Sequence, residues 1–151
     1  MNKKGILQLI EENPIILGIN KESDLKLAAK AESQVVFTLF GTISNIGDTI
    51  HHLKKMKQLV FVNIDMVDGF SPRNSVVDFL KTMELDGIIS SKPTILRYAK
   101  EQGIFTIHRF FIFFYSIPFI IYDDNPFSRF MCKASNMFVL ITNSTFSIND
   151  N

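Results

Sequence analysis

The sequence predicts an α/β fold built around a mostly parallel β-sheet. Between residues 5 and 109, apolar strand-like runs alternate with amphipathic helical segments, as in consecutive βα units. The strand-like runs are continuously apolar, which indicates strands buried on both faces of a parallel sheet. Gly41 and Gly103 stand where a strand and a helix are expected to end. Because crossovers between parallel strands are right-handed, these units give a sheet with helices packed on it.

Each element follows from its own pattern of apolar residues. Ile6, Leu9 and Ile10 predict a short opening helix. Pro72 and Pro93 are predicted as first helical residues, since proline is favoured at that position. The predicted strands are 14–19, 35–40, 59–66, 87–90 and 104–113. The helices between them carry the stripes Leu25/Ala28/Ala29, Ile46/Ile50/Leu53, Val76/Val77/Leu80/Met83 and Ile95/Leu96/Ala99.

Two architectures fit this alternation: an open doubly wound sheet, and part of a (β/α)₈ barrel. The periodicity of the sequence does not choose between them. No G-x-G-x-x-G motif follows the first strand, and no G-x-x-x-x-G-K-[ST] motif occurs anywhere in the chain. Both observations argue against a nucleotide-binding domain.

Composition indicates a globular protein of a reducing compartment. The 151 residues are 46% hydrophobic and 21% charged, with a formal net charge of +1, which argues against a broad basic surface. The single cysteine, Cys132, cannot form an internal disulfide, so we expect a cytoplasmic location. The uncharged stretch 110–122 has only 13 residues and contains Pro118. It is too short for a bilayer, which needs about 20 apolar residues, and no membrane association is expected.

Five segments, each at or near a predicted strand, carry a resemblance to a known family. The most specific is Asp86-Gly-Ile-Ile-Ser-Ser-Lys-Pro93. Over about residues 5–113 the sequence resembles the glycerol-3-phosphate-responsive antiterminators, with the segments in the family's order. The other four segments are 13–16, 36–41, 61–69 and 106–111.

The resemblance implies a fold, a ligand and a partner. The fold would be a (β/α)₈ TIM-type barrel, of which this chain would supply about five parallel strands. The ligand would be glycerol 3-phosphate and the partner a leader mRNA through which transcription termination is controlled. No cofactor and no catalytic residue are implied. Three departures stand out: Asn63 where the family usually has His, Thr42 where an acidic residue is common, and Phe114-Tyr115 in place of Asp-Ser.

Candidate ligand-binding residues are Asp65, Ser90, Ser91, Lys92 and Arg109, because function in a parallel barrel lies at the carboxyl ends of strands. The Asp65 carboxylate could accept hydrogen bonds from a polyol hydroxyl, or it could cap the following loop. The two serines and Lys92 could hold a phosphate. Alternatively, Ser91 caps the next helix and the Lys92 side chain is solvated.

Arg109 lies in an apolar strand, and a buried guanidinium needs a partner. A phosphate or Asp65 would serve; alternatively, the side chain reaches solvent at the edge of the strand. His51 and His52 point about 100° apart on a helix, without cysteine or carboxylate neighbours at ligand spacing. We therefore predict no metal site.

Two functions remain open from the sequence. The first is a regulatory protein that binds glycerol 3-phosphate and RNA. The alternative is a (β/α)₈ enzyme acting on a small phosphorylated metabolite, since one fold hosts many chemistries. Against the enzyme, no general acid–base pair stands out.

The chain divides at about residue 113. Residues 1–113 are expected to form the partial barrel, and residues 114–151 are a divergent Phe/Ile/Asn-rich tail that resembles out-of-frame translation of an AT-rich gene. A barrel lacking three strands would leave its first and fifth strands as edges. We therefore expect weak ligand binding and self-association into homo-oligomers.

Overall fold

A computed structural model describes residues 3–12, 16–110, 131–134 and 137–140. Five parallel strands alternate with helices, which confirms the predicted α/β fold. The helices are α1 Lys3–Glu12, α2 Leu25–Ala28 (preceded by a 3₁₀ turn, Glu22–Asp24), α3 Ile46–Lys55, α4 Asn74–Lys81 and α5 Pro93–Glu101. The strands are β1 Ile16–Ile19, β2 Val35–Thr38, β3 Leu59–Asn63, β4 Gly87–Ser90, β5 Phe105–Phe110, β6 Met131–Ala134 and β7 Met137–Leu140.

The strand order identifies the architecture as barrel-like. In the sheet the strands follow one another as β1-β2-β3-β4-β5-β7-β6, so each parallel strand lies beside the next one in sequence. A doubly wound sheet would reverse its order at a switch point, and no reversal occurs among the five parallel strands. The order is that of consecutive units of a (β/α)₈ barrel, which resolves the alternative left open by the sequence.

The two faces of the sheet are covered by different helices. Helices α2 to α5 pack on one face, the outer face of the partial barrel. Helix α1 packs on the other face through Ile6 and Ile10. In a closed barrel this inner face would be the packed interior, so here α1 keeps it from water. The inner core consists of Ile6, Ile10, Val35, Phe37, Phe61, Ile89, Phe105 and Ile107.

A glycine on β4 makes room for the aromatic part of the inner core. The rings of Phe37 and Phe61 are 5.5 Å apart, and those of Phe61 and Phe105 are 5.7 Å apart, both edge to face. A Cβ atom on Gly87 would lie only 2.6 Å from Phe61 Cδ1. The missing side chain at Gly87 therefore allows three aromatic rings to share one layer of the core.

The structure corrects two details expected from the sequence. Pro72 is not the first helical residue, because α4 begins at Asn74 after an extended Arg73. The fifth strand was also expected to be an edge of the sheet, but β5 pairs with β7 in antiparallel orientation, with Arg109 opposite Val139. Part of the C-terminal tail therefore extends the sheet, although it adds no βα unit within the described residues.

The length and apolarity of the described helices show whether any of them could span a membrane. None of them combines the length and the apolarity needed to cross a bilayer. Of the uncharged stretch 110–122, residues 111–122 lie outside the described residues.

Candidate functional site

The candidate site lies where three neighbouring parallel strands end. Asp65 stands in a 3₁₀ turn, Ile64–Met66, directly after β3. The Asn63 side-chain oxygen accepts a hydrogen bond from the Asp65 backbone amide at 3.2 Å and so shapes this turn. Ser90 ends β4, and Arg109 is the penultimate residue of β5. Because the carboxyl ends of parallel strands share one edge of the sheet, these side chains converge there.

The Asp65 carboxylate is the centre of the cluster. Its Oδ1 accepts a hydrogen bond from Ser90 Oγ at 2.7 Å. Its Oδ2 accepts from the Ser91 backbone amide at 2.6 Å and from Ser91 Oγ at 2.7 Å. The Arg109 guanidinium donates to the same Oδ2 at 3.3 Å. Oδ2 thus accepts three hydrogen bonds and Oδ1 accepts one, which leaves a lone pair of Oδ1 for a further donor.

The contacts determine the ionisation of Asp65. Burial of the carboxyl group favours its neutral form and alone would raise the pKa. Hydrogen bonds from Ser90 and Ser91 and the positive charge of Arg109 favour the carboxylate and outweigh burial, so the pKa of Asp65 lies below its usual value of 3.8. The site therefore contains a fixed negative charge beside a guanidinium near neutral pH.

Arg109 is buried, with only 10% of its side chain exposed. Along β5 it follows Phe105 and Ile107 on the inner face of the sheet, since side chains alternate between faces. The alternative in which the guanidinium reaches solvent is therefore wrong, and of the two partners named from the sequence, Asp65 is observed.

Lys92 joins the cluster through its backbone only. Its amide donates to Ser90 Oγ at 3.1 Å, and its side chain is exposed. Among the described residues the Lys92 ammonium forms no ion pair. Lys92 is also the N-cap residue of α5, with no side-chain cap, so the alternative in which Ser91 caps this helix is wrong. The Ser91 hydroxyl binds Asp65 instead.

Two residues of the site were not predicted from the sequence. Asn63 is fully buried, and His108 places its Nε2 3.3 Å from the Ser91 carbonyl oxygen. Asn63 shapes the Asp65 turn through its oxygen. A polar residue at the end of an otherwise apolar strand, two positions before an aspartate, was a signal for Asn63. No comparable signal pointed to His108, because its contact depends on how β4 continues beyond its last residue.

The cluster combines hydroxyls, a buried guanidinium and an exposed lysine at the start of a nine-residue helix. Such groups suit an anion, because arginine, lysine and the N-terminus of a helix all favour negative charge. The described residues contain no group of three or more His, Cys, Asp or Glu side chains that could hold a metal ion.

Comparison with known proteins gives the family. Residues 15–115 match the family described as glycerol-3-phosphate responsive antiterminator. An uncharacterized protein of Escherichia coli K12, YgcP, is 34% identical over 126 residues, which are 80% of this chain and 66% of that protein. The chain thus spans about two thirds of this relative's length.

Two solved structures are also similar. The glycerol uptake operon antiterminator regulatory protein of Listeria monocytogenes shares the fold, with a TM-score of 0.59, 20% identity, and coverage of 62% of this chain and 51% of that one. A glycerol uptake operon antiterminator-related protein of Thermotoga maritima has a TM-score of 0.55, 30% identity, and coverage of 60% and 51%. The match to the family covers most of the described βα units. The chain belongs to the glycerol-3-phosphate-responsive antiterminator family.

Proposed function

We propose that this chain is a cytoplasmic regulatory protein that binds glycerol 3-phosphate at the Asp65 cluster and acts on a leader mRNA. The family supports the ligand and the regulatory role. The single observation that carries the location is the convergence of Asp65, Ser90, Ser91 and Arg109 at the carboxyl ends of β3, β4 and β5. Ligand sites of parallel barrels lie at this end of the strands.

The phosphate would lie between Lys92 and Arg109. Lys92 is the exposed N-cap residue of α5, next to the first turn, where backbone N–H groups lack partners within the helix and the helix dipole favours an anion. The contact between Arg109 and Asp65 measures 3.3 Å, which is long for a charge-assisted hydrogen bond. An arriving phosphate can therefore share the guanidinium with Asp65.

Asp65 and the two serines would prepare this site. Three donors already bind Oδ2 of Asp65 and one binds Oδ1, so a polyol hydroxyl would join Ser90 at Oδ1 or replace a donor at Oδ2. Ser91 is the donor best placed for exchange, since its hydroxyl and its amide bind the same oxygen. We therefore assign Asp65 to orienting Ser91 and Arg109, and Ser91 to meeting the glycerol moiety.

A regulatory role fits this chemistry better than catalysis does. The lowered pKa of Asp65 keeps the carboxyl group ionised, which makes it a poor general acid. Its four hydrogen bonds also hinder it as a general base. No observation specifically favours the alternative of an enzyme acting on a phosphorylated metabolite, and the family is one of antiterminators.

A titration followed by amide NMR tests the ligand. Glycerol 3-phosphate at millimolar concentration should shift the amide signals of Ser91, Lys92 and Thr94, whereas glycerol should not. Arg109→Met and Lys92→Ala should each weaken binding, and Lys21→Ala, at another exposed lysine, should not. Equal shifts with inorganic phosphate alone would show that the cluster binds anions without recognising the glycerol moiety. If the amide signals of these residues do not shift, the proposed ligand site is refuted.

A further inference from the structure

Asn63 carries a hydrogen-bond donor that the Asp65 cluster leaves unused. Its side chain is fully buried at the end of β3. The Asn63 Oδ1 accepts a hydrogen bond from the Asp65 backbone amide at 3.2 Å, and Nδ2 has no hydrogen-bond partner in the described part of the chain. The first contact fixes the orientation of the side-chain amide, because the reverse orientation would place two donors against each other. The atom without a partner is therefore a donor.

The position of this donor indicates what it could bind. Buried polar groups are nearly always hydrogen-bonded, because a donor that leaves water without finding a partner destabilises the folded protein. At a ligand site, the ligand can supply the acceptor. Asn63 lies two residues after Phe61 on β3 and so shares its inner face of the sheet, as Arg109 does on β5. The Asn63 donor thus lies on the same face of the sheet as the guanidinium of the site.

The Asp65 carboxylate offers an unused acceptor in the same turn. Its Oδ1 accepts one hydrogen bond, from Ser90 Oγ, whereas its Oδ2 accepts three. Each carboxylate oxygen has two lone pairs, so Oδ1 can accept from a further donor. A hydroxyl group matches Asn63 and Asp65 together, because it donates one hydrogen bond and also accepts. A ketone oxygen only accepts, so it would satisfy Asn63 but not Asp65.

We propose that Asn63 is a specificity-determining residue: its Nδ2 donates to the central hydroxyl of the ligand, and that hydroxyl donates to Asp65 Oδ1. The inference rests on the proposed function, which places the phosphate between Lys92 and Arg109. The central hydroxyl of glycerol 3-phosphate is the one nearer to its phosphate, which leaves the terminal hydroxyl for Ser91. Because Asn63 is fully buried, the entering ligand must open the turn. The contact of Arg109 with Asp65, at 3.3 Å the longest of the four to this carboxylate, yields most easily.

Isothermal titration calorimetry on the full chain tests the proposal with two ligands, glycerol 3-phosphate and 3-hydroxypropyl phosphate. The second compound has the same phosphate and terminal hydroxyl but lacks the central hydroxyl. We expect wild type to bind glycerol 3-phosphate about tenfold more tightly, because the analogue leaves the Asn63 donor and the Asp65 acceptor without a partner. In Asn63→Leu, which removes the side-chain amide, the ratio of the two affinities should fall toward one.

Asn63→Ser separates ligand recognition from the role of Asn63 in the turn. The serine hydroxyl can still accept from the Asp65 amide but lacks the N–H group that reaches the ligand, so the affinity ratio should again fall. The control is Asn45→Ser, because Asn45 Oδ1 likewise accepts a backbone amide, that of Thr42 at 2.7 Å, outside the Asp65 cluster. This variant should keep the wild-type ratio.

The affinity ratio also distinguishes the possible failures. A purely structural role for Asn63 would weaken both ligands equally and preserve the ratio in Asn63→Leu and Asn63→Ser, which would overturn the inference. Equal affinities of wild type for the two ligands would overturn it as well, while leaving the phosphate site in place. If wild type binds neither ligand, the proposed function is refuted and the inference falls with it.

Discussion

Both members of the Asp65–Arg109 pair are largely buried, with about 10% of each side chain exposed. Such a pair contributes little by itself, because desolvation of both charges offsets their attraction. The two charges depend on each other, because each one offsets the free-energy cost of burying the other. The two serines add donors that keep Asp65 ionised, so the four residues form one unit and should respond to substitution as a unit.

Removal of Asp65 alone should therefore be costly. Asp65→Ala removes the carboxylate that is paired with the buried Arg109 guanidinium, and we expect the free energy of unfolding to fall by about 3 kcal/mol. Urea denaturation measures this loss. Asp68→Ala, at an exposed aspartate three residues on, serves as the control and should change stability by less than about 0.5 kcal/mol.

A double variant tests whether this loss of stability comes from separating the Asp65–Arg109 ion pair. Asp65→Ala/Arg109→Met removes both charges and should regain part of the stability lost in Asp65→Ala. A double variant as unstable as the sum of the two single variants would show that the pair is not coupled.

The ionisation of Asp65 should also shape acid unfolding. Its folded-state pKa lies below the usual 3.8, so the folded protein binds this proton less readily than the unfolded chain does. The stabilisation is complete above the unfolded-state pKa and is lost as the pH falls through the folded-state pKa. As the pH falls below about 4, the free energy of unfolding should therefore fall less steeply in Asp65→Asn than in wild type. Parallel curves for the two proteins over that range would contradict this assignment.

At the residue scale, sequence reasoning predicted that these side chains converge, but it did not predict all of their contacts. It placed Asp65, Ser90, Ser91 and Arg109 at strand ends, and the structure brings all four together. It did not foresee that Ser91 would bind Asp65 rather than cap α5, because that choice depends on the distance between two loops. Local pattern specifies which strand end carries a residue, but contacts between neighbouring strand ends depend on packing.

At the scale of elements, the apolar pattern predicted which segments form strands and helices, while several ends shifted. Strand β4 begins and ends as predicted, at Gly87 and Ser90. Strand β3 ends at Asn63 instead of continuing to Met66, because the Asn63 side chain binds the Asp65 amide and turns the chain. Side chains that compete for backbone hydrogen bonds end elements earlier than apolar pattern indicates.

The aromatic layer of the inner core gives a prediction at this scale. In Gly87→Ala the new Cβ would meet Phe61 Cδ1 at 2.6 Å and the Phe105 carbonyl oxygen at 2.7 Å. Since the carbonyl belongs to the neighbouring strand, relief requires the β4–β5 pair to shift, and we expect a loss of about 1–3 kcal/mol in denaturant unfolding. Gly18→Ala, whose Cβ would lie 3.4 Å from Leu39 Cδ1, is the matched control and should cost less than about 0.5 kcal/mol.

At the scale of the whole molecule, this chain covers about half of each related solved structure. Its five parallel strands follow barrel order, and two features cover surfaces that a closed barrel would bury. Helix α1 packs on the inner face, and β7 pairs with β5. The sequence indicated α1 through its apolar stripe. The β5–β7 pairing could not be predicted, because the tail carries no periodic pattern of apolar residues. Pairing across a long connection depends on which strand edge is left unpaired, and the local sequence does not show this.

Strand β1 is one of the two edges of the described sheet and pairs there only with β2; the other edge is β6, which pairs there only with β7. An edge strand exposes unpaired N–H and C=O groups that can pair with a second chain. Gly18 lies in the middle of β1 and is exposed, so it adds no side chain that would hinder such pairing. We expect the protein to form oligomers whose mass, measured by light scattering after size exclusion, rises with concentration. Gly18→Lys places a charge on this edge and should shift the population toward monomer, whereas Gly18→Ala should not. A monomeric wild type at high concentration, or equal association in Gly18→Lys, would show that β1 is not the surface of contact.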